Sequence, residues 1–381
     1  MSEVPVVAFL WEHYSQYHMD RCRAVAEAFS DRAKIVGFEI ASSSAVYAGW
    51  GESGEANGFT KVTLFPGTLA DGIGSLARFR ALRKALNAHQ VDHLFIAGYE
   101  RPWLFALATL SRFSSRRVYV MLDSKFDDKP RRIALETLKR VLMLPYRGAF
   151  GAGRRTRDYL RFLGFRTRPV VDGYDTVSLK RLRALAPAAR STWESRAFLA
   201  VARFVPKKSL STAIQAYARY RERGGSARRL RLCGSGALEE QLQDEAEQLG
   251  MAEEIDFLGF QPQDAIAREM ANALCLLLPS TEEQWGLVVN EALAFGLPVL
   301  VSTNAGAVDL LVTPLGNGFA LDPDDVDSWT EAMLVLGSDR VLWDRLAAGS
   351  AKRAPLGDVA AFVEGVSALT GLDGAPGRTA A

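Results

Sequence analysis

The chain is poor in the residues that build metal and redox sites. It has only three cysteines, Cys22, Cys233 and Cys275, with no Cys-x-x-Cys pair among them. Its four histidines do not pair with carboxylates at the spacing of a metal-binding helix. We therefore expect no metal site and no required cofactor. Cys233 and Cys275 fall in predicted strands, where we expect small buried residues of a protein from a reducing compartment.

The sequence also lacks long apolar runs. No stretch approaches the ~20 apolar residues that a bilayer-spanning helix needs. The first residues, MSEVPVVAFLW, lack the basic start of a secretion signal and are typical of a first strand. A net charge of +2, with 48% hydrophobic and 24% charged residues, is typical of a globular protein, which we expect to be cytoplasmic.

What the sequence does contain is an alternation of short apolar runs with amphipathic helical segments. This pattern predicts βαβ units, parallel sheets and two Rossmann-like domains with a cleft between them. We predict a first domain over residues 1–178, a linker over 179–195 and a second domain over 196–356. Residues 357–381 are predicted to form a helix that packs back on the first domain and a disordered tail.

The individual elements follow from the same pattern. The predicted strands are Val6–Trp11, Lys34–Ile40, Lys61–Phe65, His93–Ala97, Val118–Leu122, Val170–Val171, Ala197–Ala202, Arg231–Leu232, Ile255–Leu258, Leu274–Leu278 and Val299–Val301. The predicted helices are Met19–Phe29, Leu76–Ala88, Trp103–Arg112, Arg131–Met143, Leu210–Arg223, Leu238–Leu249, Ala265–Asn272, Gly286–Phe295, Val326–Gly337, Val341–Ala351 and Gly357–Leu369.

Two glutamates near the start of one helix give the strongest functional signal. Glu283 lies in the loop after the strand Leu274–Leu278, and Glu291 lies within the helix Gly286–Phe295. Ligands of open α/β sheets bind at such strand ends, and the free amides of a helix start suit a phosphate. Glu283 can accept hydrogen bonds from sugar hydroxyls, and Glu291 from a ribose. Two solvated surface glutamates are the alternative, but the apolar neighbours of Glu291 argue against it.

Two further loops carry groups suited to an anion. Arg203 and Lys208 follow the strand Ala197–Ala202 and can bind a diphosphate, although an isolated basic loop is more often only solvated. The turn Gly234-Ser235-Gly236 follows the next strand and allows a ligand to approach the backbone closely. It lacks the third glycine and the acidic residue of a dinucleotide fingerprint, which argues against a nicotinamide cofactor.

These elements, with IDFLGF at Ile255–Phe260, resemble in their order the donor half of retaining GT-B glycosyltransferases. The family is the large one numbered four, the glycosyltransferase group 1 type of bacterial polysaccharide and glycan biosynthesis. VARFVPKKS resembles its Val-Gly-Arg-Leu-x-x-x-Lys-Gly element. EEQWGLVVNEALAFGLPVLVS resembles its Glu-x-Phe-Gly-Leu-x-x-x-Glu-Ala core, with Trp285 in place of Phe. The resemblance covers residues 196–325 and implies the GT-B fold, in which two parallel-sheet domains face a central cleft.

The resemblance also implies residue roles. The donor-binding residues would be Gly234, Ser235, Gly236, Phe260, Glu283, Trp285, Gly286, Leu287, Val288 and Glu291. The catalytic residues would be Arg203, Lys208 and Glu283, which act without a metal.

The first half matches the family less well. The family often has a Gly-Gly loop after the first strand, whereas residues 12–17, EHYSQY, contain no glycine. LDSKFDDKPRR, at residues 122–132, resembles a loop of some bacterial members. The acceptor-side candidates are Ser15, Gln16, Tyr17, Asp123 and Lys125. Capping of the loop by Asp123 is the structural alternative.

The implied reaction transfers a hexose or related sugar, with retention, from a nucleotide diphosphate sugar to a hydroxyl of a glycan, a lipid-linked molecule or a small molecule. We place a UDP-sugar ahead of a GDP-sugar as donor. Two alternatives stay open, namely a non-catalytic nucleotide-sugar-binding scaffold or sensor and an epimerase or phosphorylase-like enzyme on the same fold.

Basic residues cluster between Lys129 and Arg168, with Glu136 and Asp158 as the acids among them. The cluster predicts either peripheral contact with an anionic membrane at its inner face, where a lipid-linked acceptor resides, or solvated helix faces. Nucleic-acid binding fits less well because aromatic residues do not interleave with the basic ones.

Overall fold

A computed structural model describes residues 4–43 and 56–372 of the chain. The chain divides into two compact units, the first formed by residues 1–126, 130–178 and 359–381 and the second by residues 127–129 and 179–358. Both are α/β domains with a parallel sheet, as predicted. Residues 373–381, which hold the predicted tail, lie outside the described residues.

The first unit contains a seven-stranded parallel sheet with the strand order β3-β2-β1-β4-β5-β6-β7. Its strands are β1 (Val6–Trp11), β2 (Lys34–Ser43), β3 (Thr60–Leu69), β4 (His93–Ala97), β5 (Arg117–Leu122), β6 (Gly148–Gly151) and β7 (Val170–Asp172). Its helices are α1 (Gln16–Ala28), α2 (Ser75–Ala88), α3 (Pro102–Ser111), α4 (Ile133–Met143), α5 (Arg154–Phe162) and α14 (Val359–Thr370).

Strand β1, an interior strand of this sheet, is buried on both faces. Val6, Ala8 and Leu10 belong to one core, and Val7 and Phe9 belong to the core on the opposite face. Alternate residues of a strand point to opposite faces, so a strand between two helical layers is apolar throughout. This explains why β1 appears in the sequence as a continuous apolar run.

Helix α14 completes the second of these cores, although it comes last in the chain. The ring of Phe362 stacks on Phe150 with centroids 4.9 Å apart and lies 5.4 Å from the ring of Phe9. Tyr119 Oη donates a hydrogen bond to the carbonyl of Leu369 at 2.8 Å. A Cβ on Gly365 would lie 2.5 Å from the Phe150 ring, so the close approach of α14 requires glycine there. The C-terminal helix is therefore part of the first unit.

The second unit contains a six-stranded parallel sheet with the strand order β10-β9-β8-β11-β12-β13. Its strands are β8 (Ala197–Val201), β9 (Leu230–Cys233), β10 (Ile255–Gly259), β11 (Ala273–Leu278), β12 (Val299–Ser302) and β13 (Gly318–Leu321). Its helices are α6 (Leu179–Ala184), α7 (Leu210–Glu222), α8 (Glu239–Gln248), α9 (Gln263–Asn272), α10 (Leu287–Ala294), α11 (Val308–Leu311), α12 (Val326–Ser338) and α13 (Arg340–Arg353).

The segment treated above as a linker packs on the second unit. Arg183 Nε donates to the carbonyl of Ala294 at 3.1 Å, and Arg190 Nη1 donates to the carbonyl of Phe295 at 3.1 Å. The amide of Ser191 donates to Asn272 Oδ1 at 2.7 Å. Two arginine side chains that bind carbonyls at the end of α10, and a backbone amide that binds Asn272 at the end of α9, fix this segment in place.

Among the described residues every predicted strand and helix is present, and, apart from helix α6 in the predicted linker, four elements were missed. Strand β6 is short and contains two glycines, which lower strand propensity. Helix α5 reads as a charge cluster, RRTRDYLRF, but Thr156, Tyr159 and Leu160 form a buried stripe at helical spacing. Strand β13 and helix α11 have only four residues each. Across residues 4–43 and 56–372, no helix is long and apolar enough to cross a bilayer.

Candidate functional site

The residues singled out in the second half come together at one edge of the second sheet. Strands β10, β9, β8 and β11 are consecutive parallel neighbours, so the loops that follow them lie side by side at the carboxyl edge. These loops begin at Phe260, Gly234, Ala202 and Pro279. The order of strands reverses between β8 and β11, which is the position where open α/β sheets bind ligands.

The Gly-Ser-Gly turn packs directly on the loop after β8. A Cβ on Gly234 would collide with the carbonyl oxygen of Ala202, and a Cβ on Gly236 would collide with that of Phe204. The amide of Phe204 donates to the carbonyl of Ser235 at 2.8 Å. Glycine is thus required by the contact between two loops, while Ser235 stays exposed at the tip of the turn.

Lys208 and Glu283 form an ion pair between the loops after β8 and β11. Their side chains are 15% and 13% exposed, so the pair is mostly shielded from solvent. Ser280 Oγ donates a second hydrogen bond to Glu283 Oε2 at 3.2 Å. The amide of Thr281 donates to the carbonyl of Lys207 at 2.9 Å, which ties the two loops together through their backbones as well.

Arg203 has a different environment. Its side chain is exposed, and it makes no hydrogen bond or ion pair with the residues of the second unit that the structure describes. It is the second residue after β8, and it lies between Ala202 and Phe204, whose carbonyls contact the turn of Gly234 and Gly236. A guanidinium at this place keeps its donors available for an anion.

Helix α10 begins at the same edge, and its start is rigidly held. Gly286 caps the helix with a φ of 103°, a conformation that favours glycine. The indole of Trp285 is buried and donates to Asn290 Oδ1 at 2.9 Å. Asn290 Nδ2 in turn donates to the carbonyl of Gly357 at 3.1 Å. Leu287 and Val288, the first helical residues, are half-buried.

Glu291 is 6% exposed within α10, which argues against the alternative of a solvated surface glutamate at this position. Its neighbours Val289, Ala292 and Leu293 are buried as well. A carboxylate is costly to keep at such a place unless hydrogen bonds satisfy it. Burial is consistent with a ligand-binding role, and that role stays a prediction.

Sequence reasoning missed two residues that organise the site. Ser280 binds Glu283, and Asn290 links the Trp285 indole to the backbone of Gly357. Asn290 directly precedes Glu291 and is equally buried, so a second polar residue in an apolar helix was the signal available. Phe260 is exposed in the loop after β10, where a flat ligand can stack on it.

The acceptor-side candidates lie at the carboxyl edge of the first sheet. Ser15 is buried at the start of α1, and its amide donates to His18 Nδ1 at 3.1 Å. Gln16 Nε2 donates to Asp20 Oδ1 at 3.1 Å, and Tyr17 is half-buried. The hydroxyl of Ser15 also lies 3.2 Å from His18 Nδ1 at the start of α1, so it is the least suited of these groups to meet an acceptor.

Asp123 and Lys125 follow β5, which is separated from β1 by β4 in the sheet. The carbonyl of Asp123 accepts from Thr156 Oγ1 at 3.0 Å, and the carbonyl of Lys125 accepts from Arg131 Nη2 at 2.5 Å. Lys125 is buried and Asp123 is half-buried. Backbone contacts therefore fix this loop, and the acceptor role of its side chains stays a prediction.

Residues 189–353 match the family model described as glycosyl transferases group 1. The match includes Arg203, Lys208, the Gly-Ser-Gly turn and both glutamates, which are the residues that carry the resemblance described above. The group 1 segment lies wholly within the second unit.

The similarity to curated relatives extends over only part of this chain and part of each relative. An uncharacterized glycosyltransferase of Methanocaldococcus jannaschii is 32% identical over 151 residues, which are 40% of this chain and 37% of that protein. Sucrose-phosphate synthase of Spinacia oleracea is 40% identical over 67 residues, which are 18% of this chain and 6% of that protein. The chain thus spans well under half the length of these relatives.

Solved structures match along nearly the whole chain. Sucrose-phosphate synthase of Thermosynechococcus elongatus has a TM-score of 0.73 at 15% identity and covers 96% of this chain and 98% of its own. HepE of Anabaena, solved with UDP, has a TM-score of 0.71 at 18% identity, and the match covers 97% of this chain and 100% of HepE. The lipopolysaccharide outer core galactosyltransferase WaaB has a TM-score of 0.67 at 16% identity, and the match covers 96% of this chain and 99% of WaaB. The fold is that of GT-B glycosyltransferases.

Proposed function

We propose that this protein is a glycosyltransferase that moves a hexose or related sugar from a nucleotide diphosphate sugar to an acceptor hydroxyl. The observation that carries the proposal is the grouping of exposed Arg203, the Lys208–Glu283 pair and buried Glu291 at one sheet edge. Cations suit the diphosphate, and carboxylates suit the hydroxyls of two sugars. The family of residues 189–353 supports this assignment.

Within this proposal the donor is held by groups on adjoining loops. Glu291 binds the ribose, Glu283 binds hydroxyls of the transferred sugar, and the start of α10 receives the diphosphate. We place a UDP-sugar ahead of a GDP-sugar. Structures of Anabaena HepE with UDP and with UDP-glucose support this order by analogy of fold.

The proposed reaction proceeds with retention and without a metal. The acceptor oxygen bonds to the anomeric carbon on the face from which the diphosphate leaves, and the leaving phosphate oxygen takes the acceptor's proton. Negative charge grows on the diphosphate as its bond to carbon breaks. Arg203 and Lys208 stabilise that charge. Electrostatic stabilisation of this kind is usually the largest single contribution to lowering the barrier of such a step. Across residues 4–43 and 56–372, no cluster of His, Cys, Asp or Glu side chains is arranged to hold a metal.

The Lys208–Glu283 pair suggests how donor binding and sugar recognition are coupled. In this structure each charge offsets the other. A diphosphate that attracts Lys208 competes with Glu283 for the ammonium group. The carboxylate released in this way can then accept hydrogen bonds from the sugar. Breaking the ion pair therefore frees Lys208 for the diphosphate and Glu283 for the transferred sugar.

Nucleotide binding can be tested by thermal shift with UDP, GDP, ADP and their sugars. A ligand present at 100 times its dissociation constant stabilises the native state by about 2.7 kcal/mol. We expect the largest rise in melting temperature with a uridine nucleotide and a much smaller rise in Glu291→Gln. Glu247→Gln, at an exposed position of α8, is the matched control and should shift like the wild type. Flat curves with every nucleotide would refute the donor site.

Transfer itself requires a separate measurement. We expect turnover of the donor that gives the largest thermal shift, measured by NMR with a panel of glycan, lipid-linked and small-molecule acceptors. The anomeric configuration of the product should equal that of the donor, and activity should persist in EDTA. An inverted product contradicts retention, and activity that EDTA abolishes contradicts metal independence.

A second candidate is a non-catalytic protein that binds a nucleotide sugar as a scaffold or sensor. The loop of residues 12–17 favours it, because the loop has no glycine and Ser15 is occupied in capping α1. Nucleotide binding by calorimetry without hydrolysis or transfer on any acceptor would support this candidate. A changed stereocentre in the free nucleotide sugar would instead identify an epimerase.

We further propose that the acceptor is a glycan or a lipid-linked molecule, and that the basic cluster of the first unit contacts an anionic membrane. Arg132, Arg140, Arg147, Arg154, Arg161 and Arg166 are exposed in that cluster. Each exposed arginine near an anionic surface strengthens attraction to it.

A further inference from the structure

Helix α4 turns an apolar side toward solvent. Its exposed side chains are Ile133 (64% exposed), Leu135 (53%), Leu138 (59%), Val141 (48%) and, at the capping position, Leu144 (63%). At about 100° per residue, these side chains fall within about 200° of the helix circumference. An apolar stripe of this width is normally the side of a helix that faces a core.

The buried side of α4 combines one core residue, Met143, with a polar network around Glu136. Glu136 is buried and accepts hydrogen bonds from Lys139 Nζ at 2.7 Å and Tyr159 Oη at 2.6 Å. Arg131 Nη1 lies 3.8 Å from Glu136 Oε1. Burial alone would raise the pKa of Glu136, but these bonds and charges outweigh it and hold the pKa below its usual value. The network fastens α4 to α5 through charged groups and leaves the apolar side outward.

The exposed charges around α4 are mainly positive. Between residues 131 and 168 the acids are Glu136 and Asp158. Glu136 is buried in the network, and Asp158 Oδ1 lies 3.5 Å from Arg161 Nη1. Arg140 is exposed on α4 itself, and Arg147 is exposed just after it.

Sheet topology brings more of these groups to the end of α4. Strands β5 and β6 are parallel neighbours, so the segments that lead into them lie at the same edge of the sheet. Leu144 and Arg147 lead into β6. Arg112 and Phe113, a residue that is 86% exposed, lead into β5. Apolar and basic side chains therefore adjoin at this edge.

We propose that the apolar side of α4, with Phe113, docks on the surface of a bilayer that contains anionic lipid. The apolar side chains would enter the interface, and Arg112, Arg140 and Arg147 would stay among the headgroups. Charge favours this occupant over a second copy of the chain, since two copies would bring the same arginines together. This docking deepens the membrane contact proposed above and rests on it, but it does not depend on the proposed sugar transfer.

Vesicle flotation tests the surface directly, with full-length protein and no nucleotide. Wild-type protein should float with phosphatidylcholine–phosphatidylglycerol vesicles and not with phosphatidylcholine alone. The double variant Leu135→Ser/Leu138→Ser should bind at least about tenfold more weakly, because two leucines no longer leave water. Both positions are exposed, so the fold should persist. Leu76→Ser, at a 59% exposed position of α2, is the matched control and should float like the wild type.

The basic contribution is tested in the same way. Each of Arg140→Gln and Arg147→Gln should weaken binding by roughly fivefold at low salt, and less as salt screens the charge. Arg80→Gln and Arg83→Gln, at exposed positions of α2, should have little effect.

Three outcomes would overturn the proposal. The first is that the protein does not float with anionic vesicles, and the second is that the double leucine variant floats as well as the wild type. The third is a dimer in solution that Leu138→Ser dissociates, because such a dimer would assign the surface to a second copy of the chain. The nucleotide-induced thermal shift of the variants separates this result from the proposed function, because the donor site lies in the second unit. A variant that floats weakly but keeps the nucleotide-induced rise in melting temperature has lost membrane docking and not donor binding.

Discussion

Arg203→Ala and Lys208→Ala should each reduce kcat by about 10²–10³, by analogy with the loss of one donor to a developing oxyanion. Both side chains act on charge that develops as the diphosphate leaves. We therefore expect kcat to fall, and kcat/KM to fall at least as much, since both side chains also bind the diphosphate of the donor before it reacts. Steady-state kinetics with the donor identified by thermal shift measures this.

Two controls separate catalysis from folding in this experiment. Arg345→Ala, at an exposed position of α13, removes an equal charge from the second unit and should turn over normally. Lys208→Ala leaves Glu283 without its ammonium partner, so the double variant Lys208→Ala/Glu283→Gln checks whether an unpaired carboxylate explains the loss. Near-normal turnover of both single variants would contradict the proposed mechanism.

Phe362→Ala should lower the free energy of unfolding of the first unit by about 3–5 kcal/mol, the range for deletion of a buried aromatic ring. The ring packs against Phe9 and Phe150 within the core, so its removal leaves a cavity that α14 must collapse to fill. Urea unfolding followed by fluorescence gives the difference as a shift of the midpoint.

Glu364→Ala is the matched control for this experiment. Glu364 is exposed on the same helix, and a surface change of this kind usually alters stability by less than about 0.5 kcal/mol. If Phe362→Ala unfolded at the same urea concentration as Glu364→Ala, α14 would contribute nothing to the first unit.

Sequence reasoning identified the second unit best because its signals are local. The strand β11, the loop of Glu283 and the helix of Glu291 follow one another within a short segment, and the burial of Glu291 followed from its apolar neighbours. The pairing of Lys208 with Glu283 was not predictable, because it joins loops that are 75 residues apart. Which charges meet depends on strand order, and no periodicity in the sequence encodes that order.

The first unit was harder to interpret because one of its elements contradicts the usual rule. An apolar stripe such as that of Leu135 and Leu138 predicts a helix side that is buried in the core. The structure instead buries Glu136 and exposes the leucines, since Tyr159, Lys139 and Arg131 satisfy the carboxylate. Hydrophobicity alone identified the helix and could not identify which side of it faces solvent.

The contribution of α14 to the first unit has a consequence for folding during synthesis. Strand β1 is made early, yet Phe9 acquires its partner Phe362 only after all six strands of the second sheet have been translated. Domains are generally completed in the order of their synthesis. Here we expect the second unit to finish first, while the open core of the first unit waits for its last helix and exposes aromatic rings to chaperones.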